Sequence, residues 1–217
     1  MVIRLCNLEK TYDREKVLDI GSFSFREGVY CLLGKNGAGK TTLLKILAGL
    51  DKQFRGQVTY EEPGIELDDI KKHATMVFQT SYVLDRTVAQ NIEYGLRVRG
   101  LDEEALRQKT RHYLEAANLY GMRDKNAKKL SAGQQQRLCF ARAIATEPKI
   151  LLLDEPVSNL DEENREIIHS IIRRLGAEGK TVVIMVTHEI ERARELTENI
   201  VYLDEKTLRL EAEKCFR

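Results

Sequence analysis

The segment Gly34-Lys35-Asn36-Gly37-Ala38-Gly39-Lys40-Thr41, continued by Thr42, follows the pattern G-x-x-x-x-G-K-S/T. Glycines permit backbone dihedral angles that are closed to other residues, so successive N–H groups can converge on one anion. In this pattern the lysine, here Lys40, reaches the β- and γ-phosphates of a nucleotide, and the Thr41 hydroxyl is placed to ligate Mg²⁺. The segment therefore predicts a loop that binds nucleotide phosphates.

The residues on either side of this loop favour the same interpretation. The run Val29–Leu33 is almost continuously apolar, as in a strand buried on both faces, and Thr41–Leu50 repeats leucine and isoleucine at helical spacing. A helix that starts at the loop offers its N-terminus, with a partial positive charge, to the same anion. A glycine turn that binds no phosphate could match so permissive a pattern by chance. Such a turn would not have to lie between a buried strand and a helix, as this segment is predicted to do.

Two carboxylates, Asp154 and Glu155, directly follow the apolar run Ile150–Leu153. Ligands of open α/β sheets bind at the C-terminal edge of the strands. We predict that Asp154 helps to hold Mg²⁺ and that Glu155 polarises the attacking water as general base. His188 follows another apolar run and is predicted to donate a hydrogen bond to the γ-phosphate. Considered alone, the acidic pair and the histidine are equally typical of solvated strand ends.

Strand-like and helical runs alternate along most of the chain, which predicts an α/β fold with a largely parallel sheet. Short period-2 runs near the N-terminus, interrupted at Asp13, Gly21 and Gly28, predict a small antiparallel sheet. Residues from about 80 to 140 are predicted to form a helical insertion. We expect a single domain over 1–217, in which residues 1–79 and about 141–217 form the core.

The composition limits the possible partners and compartments. The chain has 217 residues, and its 35 basic and 34 acidic side chains nearly cancel, so nothing in the net charge of +1 favours nucleic acid binding. The 4 cysteines are widely spaced, which indicates free thiols in a reducing compartment. We expect no signal peptide, because Arg4 and Glu9 interrupt the first apolar run, and the sequence has no uninterrupted apolar run of roughly 18 residues. Any work at a membrane is therefore expected to require a separate spanning partner.

The segment Leu130-Ser131-Ala132-Gly133-Gln134 is the part of the sequence that most specifically resembles a known protein family. Together with the phosphate loop and the pair Asp154-Glu155, it makes the chain resemble the ATP-binding-cassette family, whose signature reads Leu-Ser-Gly-Gly-Gln. The resemblance implies that Ser131, Gly133 and Gln134 contact the γ-phosphate of ATP held by the opposite subunit of a dimer. Ser131 also fits a plain N-cap of a helix near Gln134, and a cap keeps the helix N-terminus available for an anion.

The resemblance covers essentially the whole chain and implies a P-loop nucleotide-binding domain with further site residues. Tyr12 matches the aromatic residue that stacks on adenine, with packing alone as the alternative. Gln79 matches the glutamine that approaches Mg²⁺ and couples the site to the helical subdomain. The segment Ser158-Asn159-Leu160-Asp161 resembles the dimer-interface loop, with Asp161 near the partner's site, although Asn159 replaces the commoner alanine.

Ala132 is the departure from the family pattern that matters most, because the signature has glycine there. An alanine costs little where φ is negative, and roughly 1 kcal/mol or more where the backbone must be left-handed. We predict a functional signature because Ser131 and Gly133 are intact.

The predicted role is that of a transport ATPase, cytoplasmic and peripheral on the inner face of the cell membrane. The resemblance implies ATP and Mg²⁺ as cofactors, a homodimer in the ATP-bound state, a transmembrane permease subunit and an extracytoplasmic substrate-binding protein. The segments Thr87–Ile92 and Tyr94–Gly100 are similar to the permease-docking stretch of prokaryotic importers. The alternative is an ATPase for export or envelope remodelling. An oxyanion such as tungstate or molybdate, or an amino acid, is the expected cargo class.

Overall fold

The computed structural model describes residues 1–62, 69–158 and 160–211. Asn159 and Cys215, both noted in the sequence, lie outside these ranges. The strands and helices are β1 (Val2–Tyr12), β2 (Glu15–Arg26), β3 (Gly28–Leu33), α1 (Lys40–Leu47), β4 (Arg55–Glu61), α2 (Ile70–His73), β5 (Ala74–Val77), α3 (Val88–Val98), α4 (Glu103–Ala116), α5 (Ala132–Ala145), β6 (Ile150–Asp154), α6 (Glu162–Glu178), β7 (Val182–Val186), α7 (Ile190–Leu196), β8 (Ile200–Asp204) and β9 (Thr207–Leu210).

The internal contacts divide the chain into two units. The first comprises Met1–Met76, Lys149–Glu155 and Arg173–Arg217, and the second comprises Val77–Pro148 and Pro156–Ile172. The stretch 80–140, predicted to be a helical insertion, falls within the second unit. The predicted boundaries of the core and of the helical subdomain remain predictions.

The N-terminal strands of the first unit form a small antiparallel sheet in the order β2-β1-β4. In β1, Ile3 and Leu5 are buried on one face, as the period-2 pattern predicts, and Leu8 is buried after a register shift between Cys6 and Glu9. The prediction of a break at Gly21 was wrong, because β2 runs through this glycine and pairs with β1 on both sides of it. The third strand, β4, was not predicted, since its sequence lacks a strong apolar run.

A six-stranded sheet in the order β5-β6-β7-β3-β8-β9 forms the centre of the first unit. Strands β3, β6, β7 and β8 are parallel where they pair, and β8 and β9 form an antiparallel hairpin. Every residue of β6 and β7 is buried, which explains their continuous apolar sequences. Leu32 and Asp154 both pair with Val186, so the ends of β3, β6 and β7 meet at one edge of the sheet.

Helix α1 packs into the hydrophobic core of the first unit through Leu43, Leu44, Ile46 and Leu47, all at most 1% exposed. The same core contains apolar residues of both sheets. Burial of one face of α1 therefore fixes the position of its N-terminus relative to the central sheet.

The second unit is built on α3, α4 and α5, which pack against one another. Both α3 and α5 start with a capping box, Thr87 with Gln90 and Ser131 with Gln134, so their first turns have defined positions. Among the described residues, no helix has the length and apolar character that crossing a membrane requires.

Candidate functional site

The predicted phosphate loop connects β3 to α1 and has the conformation that its glycines permit. Gly37 and Gly39 have φ values of 78° and 100°, in the left-handed region that other residues rarely adopt. A Cβ at Gly39 would also lie 2.8 Å from Val17 Cγ1, and one at Gly34 would lie 2.6 Å from the Leu203 carbonyl oxygen. Close packing therefore requires glycine at both positions, and Gly39 is also required by its left-handed backbone conformation.

The exposed centre of the loop is formed by Lys35, Asn36 and Gly37, while Ala38 and Thr42 are half-buried. The Ala38 N–H donates to the Lys35 carbonyl oxygen at 3.2 Å, which closes a tight turn. Gly39 is the N-cap of α1, and it has no side chain to occupy the first-turn N–H groups. The helix N-terminus is thus placed to bind an anion.

Lys40 lies across the loop that precedes it. Its ammonium donates to the carbonyl oxygens of Gly34 at 2.8 Å and Lys35 at 2.9 Å, and its side chain is buried. Burial lowers the pKa of Lys40, against the opposing effect of the Glu155 and Asp154 carboxylates. The lysine therefore stands between the loop and the two carboxylates at the sheet edge.

Thr41 and Asp154 form the pair predicted to hold a metal ion. The Thr41 hydroxyl donates to Asp154 Oδ2 at 2.8 Å. Burial raises the pKa of Asp154, the Thr41 hydrogen bond lowers it, and the charge of Glu155 raises it again, with a net upward shift. A hydroxyl and a carboxylate oxygen are the hard ligands that Mg²⁺ prefers, so the donor set fits this ion.

Glu155 and His188 are brought together by the parallel pairing of β6 and β7. The imidazole Nε2 of His188 lies 2.6 Å from Glu155 Oε1, within hydrogen-bond distance. Glu155 has a φ of 51°, uncommon for a residue other than glycine, and its N–H donates to the Val186 carbonyl oxygen at 3.2 Å. The turn after β6 thus directs the Glu155 side chain toward His188, two residues beyond the end of β7. This contact was not predicted from the sequence.

Tyr12 ends β1 and is 45% exposed. Its hydroxyl donates to Asp51 Oδ2 at 3.0 Å, and the Lys10 ammonium lies 4.5 Å from its ring centroid. Lys10 and Asp51, which hold the ring, were missed in the sequence. A lysine two residues before an aromatic residue in a strand was the available signal, since both then lie on one face.

The signature segment begins helix α5 of the second unit. The Ser131 hydroxyl accepts from the Gln134 N–H at 3.3 Å, and Gln134 Oε1 accepts from the Ser131 N–H at 3.0 Å. Ser131 is therefore an N-cap as predicted, although the helix starts at Ala132 rather than near Gln134. Ala132 has helical backbone geometry and does not belong to the positive-φ residues of the described chain. The backbone strain that a left-handed φ would impose on this alanine is therefore absent.

Gly133 packs against the start of α6 within the second unit. A Cβ at Gly133 would lie 3.2 Å from Asn164 Cγ and 3.3 Å from Leu160 Cδ2. Asn164 Nδ2 donates to both carboxylate oxygens of Asp161, at 2.6 and 2.7 Å, and its N–H donates to Asp161 Oδ1 at 2.8 Å. Asn164, which was not predicted, thus contacts both Gly133 and Asp161.

The predicted site residues fall into two groups by unit. Tyr12, the loop Gly34–Thr42, Asp154, Glu155 and His188 belong to the first unit. The second unit contains Gln79, Ser131, Gly133, Gln134 and Asp161. Within the first unit the structure assembles the predicted phosphate-binding and water-activating residues at one sheet edge.

Comparison with known proteins shows what this arrangement is similar to. The sequence profile described as "ABC transporter" matches residues 18–158. The tungstate uptake system ATP-binding protein TupC of Peptoclostridium acidaminophilum is 40% identical over 205 residues, which are 94% of this chain and 95% of that protein. The spermidine/putrescine import ATP-binding protein PotA of Desulfitobacterium hafniense (strain Y51) is 37% identical over 94% of this chain, which spans only 60% of that longer protein.

Two solved structures are similar over 96% of this chain. The cbiO1 protein from Clostridium perfringens, part of the ABC transporter complex cbiONQ, has a TM-score of 0.85 at 25% identity, with 86% of it covered. The ATP-binding cassette MJ0796, solved as a dimer in a post-hydrolysis state with ADP and Pi, has a TM-score of 0.83 at 30% identity, with 98% covered. These matches confirm the predicted fold, ATP binding and ATPase activity. The chain belongs to the ABC transporter family, as one of its ATP-hydrolysing subunits.

Proposed function

We propose that this chain is the ATPase subunit of an importer and hydrolyses MgATP as half of a two-site homodimer. The observation that carries the proposal is the 2.6 Å contact between Glu155 and His188, beside the Thr41–Asp154 hydrogen bond at the end of the phosphate loop. This arrangement combines a carboxylate of fixed orientation with phosphate-binding groups. Such a combination suits transfer of a phosphoryl group to water.

The residues of the first unit have distinct roles in this proposal. The Gly34–Thr42 backbone and Lys40 bind and orient the phosphates, and Tyr12 stacks on adenine. Glu155 accepts the proton of the attacking water, and the Nε2–H of His188 has both Glu155 and the γ-phosphate as acceptors. Mg²⁺, held by Thr41 and Asp154, would neutralise charge on the phosphate oxygens.

The residues of the second unit complete the site of the other chain. Ser131, Gly133 and Gln134 lie at the N-terminus of α5, which is suited to bind the γ-phosphate of ATP on the partner subunit. Asp161 lies next to Gly133 through Asn164 and would face the same partner. The dimeric form of the similar cassette MJ0796 supports this two-chain site.

Complementation between two inactive variants tests the two-chain site. Lys40→Ala removes phosphate binding by one chain, and Gly133→Asp adds a negative charge to the first turn of α5, which would repel the partner's γ-phosphate. Each variant alone should lack ATPase activity. In an equal mixture half of the dimers are mixed, and each mixed dimer has one intact site, so about a quarter of the sites should work. Activity that stays absent on mixing, with both variants folded and dimer formation shown by crosslinking, would contradict the two-chain site.

The permease is proposed to dock on α3 of the second unit. Tyr94 and Val98 are exposed on this helix, and a cavity of about 260 Å³ beside Tyr94 is lined by Arg86, Gln90, Glu93 and Arg97. A cavity lined by an aromatic ring and by charged side chains is suited to bind a short polar helix of a membrane subunit. Tyr94→Ala should abolish co-purification of the permease subunit while ATP binding is retained. The Tyr113→Phe variant serves as the control because Tyr113 is buried and does not line this cavity.

The importer is proposed to use an extracytoplasmic substrate-binding protein and to place this chain at the cytoplasmic face of the membrane. A tungstate-type oxyanion is the proposed cargo, on the strength of the tungstate relative that matches over nearly its full length. Disruption of this chain in its own cell should lower tungstate accumulation. Unchanged tungstate with lowered spermidine or ferric ion uptake would replace this cargo with that of another relative.

A further inference from the structure

Lys10 and Asp51 form an ion pair beneath the ring of Tyr12. Lys10 is only 2% exposed, and its ammonium lies 2.9 and 2.8 Å from the two Asp51 carboxylate oxygens and 2.6 Å from the Gln53 carbonyl oxygen. A lysine is almost never buried to this degree unless it is paired. The pair is therefore a fixed element of the first unit, against which the exposed ring can be held.

The ring of Tyr12 is held by this pair at two points. Its hydroxyl donates to Asp51 Oδ2, the carboxylate oxygen that lies 2.8 Å from the Lys10 ammonium. The ammonium itself lies 4.5 Å from the ring centroid, in the range of a cation–π interaction. With one face over Lys10 and the hydroxyl fixed, the ring presents its other face to solvent.

Helix α1 connects this ring to the phosphate loop. The helix begins at Lys40, directly after the loop, and ends at Leu47, and the Asp51 N–H donates to the carbonyl oxygen of Lys45 at 3.1 Å. Its eight residues span about 12 Å. The segment that contains Asp51 is thus attached to the C-terminal end of the same rigid helix whose N-terminus faces the phosphates.

The β-hairpin gives a second connection between the ring and the loop. Tyr12 pairs with Glu15 of β2, and three residues further along β2, Leu18 and its neighbour Val17 lie against Gly39 of the loop. Three residues of strand correspond to about 10 Å. Helix and hairpin therefore both constrain the distance between the ring and the phosphate-binding groups.

We propose that Lys10 and Asp51 are positioning residues for the nucleotide base: they hold Tyr12 at a fixed distance from the phosphate loop, so that ATP binds by its base and its phosphates together. This inference rests on the proposed stacking role of Tyr12. The ion pair then contributes to the affinity for the nucleotide base and does not contribute to the affinity for the phosphates.

Binding of MgATP and of inorganic tripolyphosphate with Mg²⁺, both measured by calorimetry, separates these contributions. Tripolyphosphate engages the phosphate loop but has no base. Tyr12→Phe keeps the ring and removes its bond to Asp51, and it should weaken ATP binding about three- to tenfold. Asp51→Asn and Lys10→Met should weaken it at least as much. For all three variants the affinity for tripolyphosphate should change less than twofold. Asp19→Asn, an exposed carboxylate on β2 that pairs with Lys16, is the matched control and should bind both ligands normally.

The outcomes separate the inference from the function on which it rests. Tyr12→Ala should weaken ATP binding about five- to a hundredfold through loss of stacking. If Tyr12→Ala weakens ATP binding but Tyr12→Phe does not, the ion pair does not position the ring and only this inference fails. If Tyr12→Ala has no effect, the stacking role itself is wrong. Equal losses for ATP and tripolyphosphate would show a general structural role and also overturn the inference. Should Asp51→Asn fail to fold, Tyr12→Phe, which keeps the ion pair, decides the question.

Discussion

The imidazole of His188 and the carboxylate of Glu155 are 2.6 Å apart, although 33 residues separate them in the chain. The two residues follow neighbouring parallel strands, β6 and β7, and the left-handed φ of Glu155 turns its side chain toward β7. A general base has to be held within hydrogen-bond distance of the water that it activates. We therefore regard this pair as the catalytic centre of the proposed mechanism.

Glu155→Gln should lower the ATPase rate about 10²- to 10⁴-fold, because the amide cannot accept a proton from the attacking water. ATP binding should be retained, and ATP should shift the protein to a dimer on size-exclusion chromatography. The control is Glu205→Gln in the exposed turn between β8 and β9. A Glu155→Gln variant that turns over ATP at the normal rate as a monomer would refute the assigned role.

Replacement of His188 should affect catalysis more than ATP affinity. His188→Ala removes the hydrogen bond to Glu155, and we expect kcat to fall about tenfold or more while the dissociation constant for ATP changes less than about threefold. Rapid-quench kinetics of a single turnover would locate the defect in the hydrolytic step. A loss confined to ATP binding would contradict this prediction.

Thr41 should determine the requirement for Mg²⁺. Thr41→Val keeps the shape of the side chain but removes both the hydroxyl and its hydrogen bond to Asp154, so the Mg²⁺ concentration for half-maximal ATPase activity should rise about tenfold. Thr41→Ser keeps the hydroxyl and is the matched control, with a requirement close to that of the natural protein. An equal effect of both substitutions would indicate packing rather than metal binding.

The contact between Gly133 and Asn164 predicts coupling between two substitutions. Gly133→Ala adds a methyl group 3.2 Å from Asn164 Cγ, and Asn164→Ala removes the group that it meets. The double variant should be more stable than the sum of the single effects predicts, by about 0.5–1 kcal/mol in urea unfolding. Additive effects would show that the backbone moves instead.

By contrast, Ala132→Gly should lower stability by up to about 1 kcal/mol and leave the ATPase rate within a few-fold.

The ion pair of Lys10 and Asp51 should lose its effect on stability in acid. Burial opposes ionisation of Asp51, but hydrogen bonds from Lys10, the Gln53 N–H and Tyr12 outweigh it and lower the pKa of Asp51 below its ordinary value of 3.8. A lowered pKa means that the stabilisation is complete above that value and disappears as the pH falls through the folded-state pKa. Urea unfolding of the natural protein and of Asp51→Asn should therefore differ by roughly 3 kcal/mol near neutral pH and converge in acid. A pH-independent difference would point to packing alone.

The sequence by itself determined the local features of this protein. Consecutive residues specify the glycine spacing of the phosphate loop, the apolar runs of β3, β6 and β7 and the N-cap at Ser131, because turns, buried strands and helix caps depend on neighbours in the chain. The order of these features along the chain predicted the α/β fold and the family. Strand β4 and the continuity of β2 through Gly21 did not, since both depend on pairing with β1 rather than on local pattern.

Only the tertiary structure decided which side chains contact one another across the chain. The bond between Glu155 and His188 results from the register of β6 on β7, and the bond between Tyr12 and Asp51 joins residues 39 positions apart in the chain. The negative φ of Ala132 depends on where α5 begins, which the signature alone left open. Each of these relationships is set by long-range packing, and a one-dimensional pattern carries no information on the distances that such packing produces.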